Sequence, residues 1–311
     1  MQTTILSTAD VARLFDVTET TVKRWADEGT LKCQRTPGGH RKFAIRYVIE
    51  FAERNHFDPV GAIDLMRETR FSPPLQAAVL SRDFPALARE YTSRAMAADE
   101  ESLLAFFSYL YEHKVALWEI HDLVLRGGMQ EIGERWMRGE LGVEEEHRAS
   151  ARTVDALARL QTQVFVKPSR GKSSLLACLG EDLHEIGLRC VSCIFEAEGW
   201  GVHYLGARTP RNAIIAAARK VAPDVLAVSV SMGDRPESVR SDIGEISAAA
   251  REVGAQLVVG GRGAMAAFTE QGGADEILTS SRDLLEYLRR VEKSNGPGIH
   301  ETNIRNGTVE E

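Results

Sequence analysis

Cysteine is scarce in this chain. Only Cys33, Cys178, Cys190 and Cys193 occur in 311 residues. No secretory segment precedes them, which fits a reducing cytoplasm. Long hydrophobic runs are missing as well. None approaches the ~18 apolar residues of a membrane span, which excludes a helical membrane protein. There is no internal repeat, which excludes a solenoid. Positive charge is in the minority, with 38 Lys and Arg against 45 Asp and Glu and a net charge of −7. Binding to nucleic acid would therefore need a local cluster of cations rather than a basic chain. The length suffices for two or three domains.

The second half of the chain alternates short apolar runs with amphipathic segments. Residues 172–179, 200–205, 225–230, 256–259 and 276–278 read as strands. Residues 186–198, 213–221 and 239–253 carry apolar positions at helical spacing. Such alternation predicts a doubly wound parallel sheet with helices on both faces, and a ligand site at the carboxyl ends of the strands. Two apparent motifs fail here. Gly171-Lys172-Ser173 precedes the strand and lacks the upstream glycine of a phosphate loop, so it reads as a turn. Cys190 and Cys193 fall inside a helix, as buried structural thiols rather than a redox pair.

Polar and minimal residues gather at the predicted strand ends. Asp182-Leu183-His184-Glu185-Ile186-Gly187 follows the first strand. After 41 residues comes Ser229-Val230-Ser231, and after 28 more Gly260-Gly261. An isolated loop histidine most often binds nothing, but the joint spacing argues against that reading. It resembles the cobalamin-binding module shared by methionine synthase and the cobalamin mutases, with Ser231 standing where that family usually has leucine. The resemblance implies a flavodoxin-like fold in which His184 is the lower axial ligand of cobalt and Asp182 its carboxylate partner. It further implies that Gly187 and Ser231 belong to the site, that Ser229 bonds the buried dimethylbenzimidazole, and that Gly260 and Gly261 admit a flat ring.

Residues 76–166 show helical periodicity over 84–97, 101–112, 115–134 and 143–165, which predicts a bundle. Trp136 is followed after nine residues by Glu146-His147. A tryptophan in a bundle is often core, and Glu146-His147 in a run of glutamates is often a solvated face. Placed before a cobalamin module, however, the string resembles the helical cap of cobalamin-dependent photoreceptor repressors of the CarH/LitR type. The resemblance implies that Trp136 packs over the corrin and that Glu146 and His147 contact a 5′-deoxyadenosyl group, making adenosylcobalamin the cofactor. Light-sensing members carry a histidine after the tryptophan; Met137 stands here. A thioether is a soft, weak ligand beside imidazole, so His121 or His147 would have to substitute, or the response to light differs.

The first ~70 residues point to DNA. Ser7 caps a helix with Val11, Leu14 and Phe15 on one face, and residues 18–28 form a second helix with Val22 and Trp25 inward. That arrangement presents Thr20, Thr21, Lys23 and Arg24 outward. Residues 32–46 then carry Lys32, Arg35, Arg41, Lys42 and Arg46 and no acid, a footprint for phosphates. Thr36-Pro37-Gly38-Gly39-His40-Arg41-Lys42-Phe43 resembles the wing of the MerR family, implying that Arg35, His40, Arg41 and Lys42 face double-stranded operator DNA.

The expected organisation is therefore a multidomain α and α/β chain. A winged helix-turn-helix with linker occupies 1–75, a helical cobalamin cap 76–166, a Rossmann-like cobalamin domain 167–292, and a disordered tail 293–311. The resemblances imply a non-enzymatic, light-responsive repressor that binds DNA as a dark homotetramer assembled by adenosylcobalamin. The alternatives are a corrinoid-carrier subunit of a methyltransferase and a cobalamin sensor indifferent to light. A carrier has no use for an N-terminal DNA-binding domain.

Overall fold

A computed structural model describes residues 5–36, 39–57, 71–97, 100–230, 236–267 and 273–294. The linker residues 58–70, Ser231 and the tail from 295 lie outside these. The chain divides into two compact units, Met1–Leu80 and Ser81–Glu311.

In the first unit, β1 (Ile5–Ser7), β2 (Gln34–Arg35) and β3 (Arg41–Ala44) form an antiparallel sheet in the order β1-β3-β2. Among the described residues it is accompanied by the helices α1 (Thr8–Leu14), α2 (Glu19–Asp27) and α3 (Ile45–Arg54). The caps are those expected. Ser7 Oγ accepts the Asp10 N–H while the Asp10 carboxylate accepts the Ser7 N–H, and Thr18 caps α2 through the Thr21 N–H. Each cap stabilises its helix by about 1 kcal/mol. Val11, Val22, Leu31, Phe43 and Ala52 are fully buried, and Phe15, Trp25, Phe51 and Phe57 stack around them. The helix α4 (Pro73–Ser81) lies at the boundary of the units.

The second unit opens with α5 (Phe84–Met96), α6 (Glu100–Glu112), α7 (Leu117–Glu119), a π segment (Ile120–Leu125), α8 (Arg126–Met137) and α9 (Val143–Gln161). The periodicity over 115–134 predicts one plain helix; the structure inserts a π turn. A π turn adds a residue to the winding, and His121 and Asp122 then both reach the last helix of the sheet. Asp122 accepts the backbone N–H groups of Ser281 and Arg282 at 2.9 and 3.0 Å. One turn on, Arg126 donates to the Thr279 carbonyl at 2.8 Å. Helix α9 stops at Gln161, short of the expected 165, and its C-cap Thr162 turns its hydroxyl back to the Arg159 carbonyl.

The sheet contains β4 (Ser173–Leu179), β5 (Gly201–Thr209), β6 (Val225–Ser229), β7 (Gln256–Gly260) and β8 (Glu276–Leu278), all parallel, in the order β5-β4-β6-β7-β8. Between them run α10 (Ile186–Ala197), α11 (Arg211–Val221), α12 (Pro236–Glu252), α13 (Arg262–Ala267) and finally α14 (Ser281–Ser294). One face packs Leu175, Leu179, Ile214, Val228 and Ile243; the other packs Leu176, Leu188, Phe195, Leu284 and Leu288. Both faces are covered, as a parallel sheet requires. The order reverses at β4 and β6, which places the switch point beside the loop after β4. Strand β5 runs four residues past the expected Leu205, because its far end bulges and stays paired: Ala177 opposes Gly206 and Leu179 opposes Thr209.

Candidate functional site

Three adjacent strand ends build the rim. The register sets Cys178 beside Ser229, Ser229 beside Gly260, and Gly260 beside Leu278. His184 sits in the loop leaving β4. Its side chain is 85% exposed, while that of its neighbour Asp182 is 1% exposed. Asp182 Oδ1 accepts from the His184 backbone N–H at 2.8 Å and lies 2.9 Å from Nδ1. This pairing directs the Nδ1 proton to the carboxylate and leaves Nε2 as the nitrogen open to a ligand. The other carboxylate oxygen, Asp182 Oδ2, is buried without a partner. A carboxylate held in this way fixes the orientation and tautomer of the imidazole beside it.

The rim glycines are set by the backbone around them. A Cβ on Gly261, whose φ is +92°, would lie 2.3 Å from the Val230 carbonyl oxygen, and one on Gly260 would lie 3.2 Å from that of Leu278. The strand ends themselves therefore demand glycine, and the rim stays free of side chains there. Gly187, in the first turn of α10, is exposed and meets nothing within 4 Å. Ser229 is half-buried beside the Cys178 thiol, which burial pushes up to about 12. Cys190 and Cys193 are buried and free, and burial likewise raises both thiols. None of the three is a ready nucleophile. Ser231 lies outside the described residues.

On the bundle, Trp136 lies in the last turn of α8 with 46% of its surface exposed; Met137, which ends that helix, and Val143, which opens α9, are exposed as well. Glu146 accepts from the Ser150 hydroxyl at 2.7 Å and lies 3.7 Å from His147 Nε2. His147 is exposed. His121, the other candidate substitute for a histidine at 137, is buried against Ser281 in the seam between the π segment and α14.

A chemical fit to a cobalt corrinoid rests on the donor set. A presented imidazole, a buried carboxylate behind it and the exposed Leu183 beside it suit a borderline metal held in a large flat macrocycle. Among the described residues no cluster of three or more His, Cys, Asp or Glu could hold a bare metal ion.

In the first unit, a cleft of about 400 Å³ is lined by Lys23 of α2 and by His40, Arg41 and Lys42 of the wing. Thr20 and Arg24 are exposed on α2. Thr21 is half-buried, its hydroxyl 3.0 Å from that of Thr18 in the cap. Arg35 and Arg41 both bind Asp27 at 2.7 Å. The Arg41 side chain is only 16% exposed, and its hydrogen bond is the first cause holding the Asp27 carboxyl below its usual range. Sequence spacing does not reveal this clamp, because Asp27 and the wing meet only through the fold.

Three family models match the chain: a helix-turn-helix domain over residues 5–56 and two B12 binding domains over 87–161 and 172–289. Over 136 residues the chain is 35% identical to the HTH-type transcriptional repressor CarA of Myxococcus xanthus, an alignment covering 44% of each protein. It is 27% identical over 235 residues to the repressor CarH of Myxococcus xanthus, covering 70% of this chain and 76% of that one. It is also 27% identical over 176 residues to a dimethylamine corrinoid protein of Methanosarcina barkeri, covering 54% of this chain and 83% of that protein. The structure of a monomethylamine corrinoid protein from Methanosarcina barkeri superposes with a TM-score of 0.56 at 16% identity, over 67% of this chain and 99% of that one. That likeness establishes the shared fold.

Proposed function

We propose that this chain, similar to the CarA and CarH repressors, is a cobalamin-dependent transcriptional regulator of the CarH type with a MerR-like DNA-binding domain. The observation that carries the reading is the union in one chain of a helix-turn-helix unit and a rim that presents a carboxylate-backed histidine. Methylamine corrinoid proteins account for the second unit alone; the DNA-binding unit favours regulation over a carrier role.

The residues take the following parts. His184 would hold the cobalt through Nε2, with Asp182 fixing its ring. Ser229, Gly260 and Gly261 would border a slot for the displaced nucleotide base. Trp136 covers the upper face, with Glu146 and His147 toward the upper ligand. Adenosylcobalamin, when bound, supplies a cobalt–carbon bond that light cleaves. Lys23, His40 and Lys42 contact the phosphate backbone, while Thr20 and Arg24 read bases from α2. Arg35 and Arg41 hold the wing to α2 through Asp27. A single unit of this size buries little DNA surface, so useful affinity requires pairing of subunits on repeated half-sites. We therefore place a homotetramer on DNA in the dark, in the cytoplasm, which dissociates in light. With Met137 in place of histidine, the illuminated state lacks a stable bis-imidazole spectrum.

The test is an electrophoretic shift on the protein's own promoter region with adenosylcobalamin, in the dark and after green light, with size-exclusion chromatography of the same samples. A cofactor-dependent dark shift by an oligomer, lost on illumination, is expected. His184→Ala is expected to abolish the cofactor dependence. A shift that ignores cofactor and light would overturn the reading, and methyl transfer to a thiol without any DNA shift would favour the carrier.

A further inference from the structure

The loop that presents His184 is fastened to the edge strand β5 as well as to its own helix. Gly180 N–H donates to the Thr209 carbonyl at 3.0 Å, and Arg208 N–H to the Asp182 carbonyl at 2.9 Å. The third anchor is a side chain: the Tyr204 hydroxyl donates to Glu185 Oε2 at 2.8 Å. Glu185 directly follows the histidine and is the N-cap residue of α10.

Strand β5 is distorted to make these bonds. Its register against β4 shifts twice, between Leu176 and Ala177 and between Ala177 and Leu179. Gly206 and Arg208 adopt φ of +82° and +53°. An arginine in the left-handed region persists only where surrounding bonds over-determine it. A Cβ at Gly206 would lie 3.2 Å from Tyr204 Cε1, so glycine leaves room for the ring. The Arg189 guanidinium covers that ring at 4.1 Å and reaches Glu185 at 3.4 Å. Tyr204 is thus gripped from two sides, whereas the exposed imidazole that precedes Glu185 in the chain has one side-chain partner among the described residues, Asp182.

We propose that Tyr204 is a positioning residue for cobalt ligation: its bond to Glu185 fixes the loop so that His184 stays over the rim formed by Ser229 and Gly260. The inference rests on His184 being the lower axial ligand. Asp182 sets how the ring is turned, and Tyr204 sets where the loop holds it. Placement governs ligation because a strain-free approach along one axis is needed for a metal already fixed in its macrocycle.

The test loads the full-length protein with hydroxocobalamin, then reduces it to the cob(II) form. In protein labelled with nitrogen-15 histidine, an imidazole on cobalt gives a doublet splitting in the electron paramagnetic resonance spectrum, and the cofactor's own base gives a triplet. Wild type is expected to show the doublet. Tyr204→Phe keeps the ring and its arginine contact, and it is expected to mix the two signals and raise Kd about 3- to 10-fold, the order of one lost hydrogen bond of ordinary net strength. Glu185→Ala should match it, and the double variant should add nothing further. Glu185→Gln retains an acceptor oxygen and should restore the doublet. A pure doublet and wild-type Kd in Tyr204→Phe, with the doublet lost in His184→Ala, would overturn this inference alone. A doublet surviving in His184→Ala would overturn the ligation reading and this inference with it.

Discussion

His121 lies between the π segment and the start of α14, with Nδ1 3.4 Å from the Ser281 hydroxyl and Nε2 buried without a partner. Burial lowers its pKa from 6.5 to about 3. The neutral form is therefore the native one. Unfolded chain takes up a proton as pH falls through ~6.5 and the folded chain does not, so the stability this site contributes is present above that value and lost toward pH 3. His121→Gln is expected to remove a slope approaching ~1.4 kcal/mol per pH unit within that window. Urea titrations of both proteins between pH 7 and 4 measure the difference; parallel curves would show that His121 titrates freely. Nothing local signals this environment, because Ser281 stands 160 residues along the chain. His184 was legible for the opposite reason: its carboxylate is two residues away, and the spacing to Ser229 and Gly260 is fixed by strand order. Arg41 shows the limit of composition. Its charge reads as a phosphate contact, and only the fold places Asp27 against it.

Among the helices, α5 and α8 pack closely at Gly128. A Cβ on Gly128 would lie 2.2 Å from Tyr91 Cδ1 and 3.0 Å from the Ala88 carbonyl oxygen. Tyr91 has no room to yield, since it is fully buried and its hydroxyl is bound to Thr153 of α9 at 2.7 Å. Gly128→Ala is expected to destabilise the protein by about 1–3 kcal/mol through overpacking. Gly133→Ala on the same helix meets nothing within 4 Å and is expected to be neutral or to stabilise by up to ~1 kcal/mol, from helix propensity. Denaturant midpoints of the two variants decide it, and equal losses would refute the packing account. The helices and strands that the periodicity predicts were readable to within a few residues because apolar spacing is a local property. The π turn and the bulged end of β5 were not, since each answers to a neighbour: α14 in one case, the His184 loop in the other.

For the molecule as a whole, charge is divided along the chain. Residues 32–46 carry no acid within a chain of net charge −7, so the wing offers phosphates a local attraction that the remainder opposes. The second unit is joined differently. Asp122 belongs to the bundle, yet it occupies the start of the sheet's last helix, where it accepts the Ser281 and Arg282 N–H groups that have no partner within the helix. The bundle cannot leave without exposing that helix end, and α14 cannot fray without freeing a carboxylate buried to 10% exposure. Cap and sheet should therefore open as a single cooperative unit rather than as two domains in series. Native-state hydrogen exchange is expected to give core amides of α5 and β6 the same opening free energy. Asp122→Ala should separate them, with α14 amides exchanging first. Separate opening free energies in the parent protein would show that the seam transmits nothing.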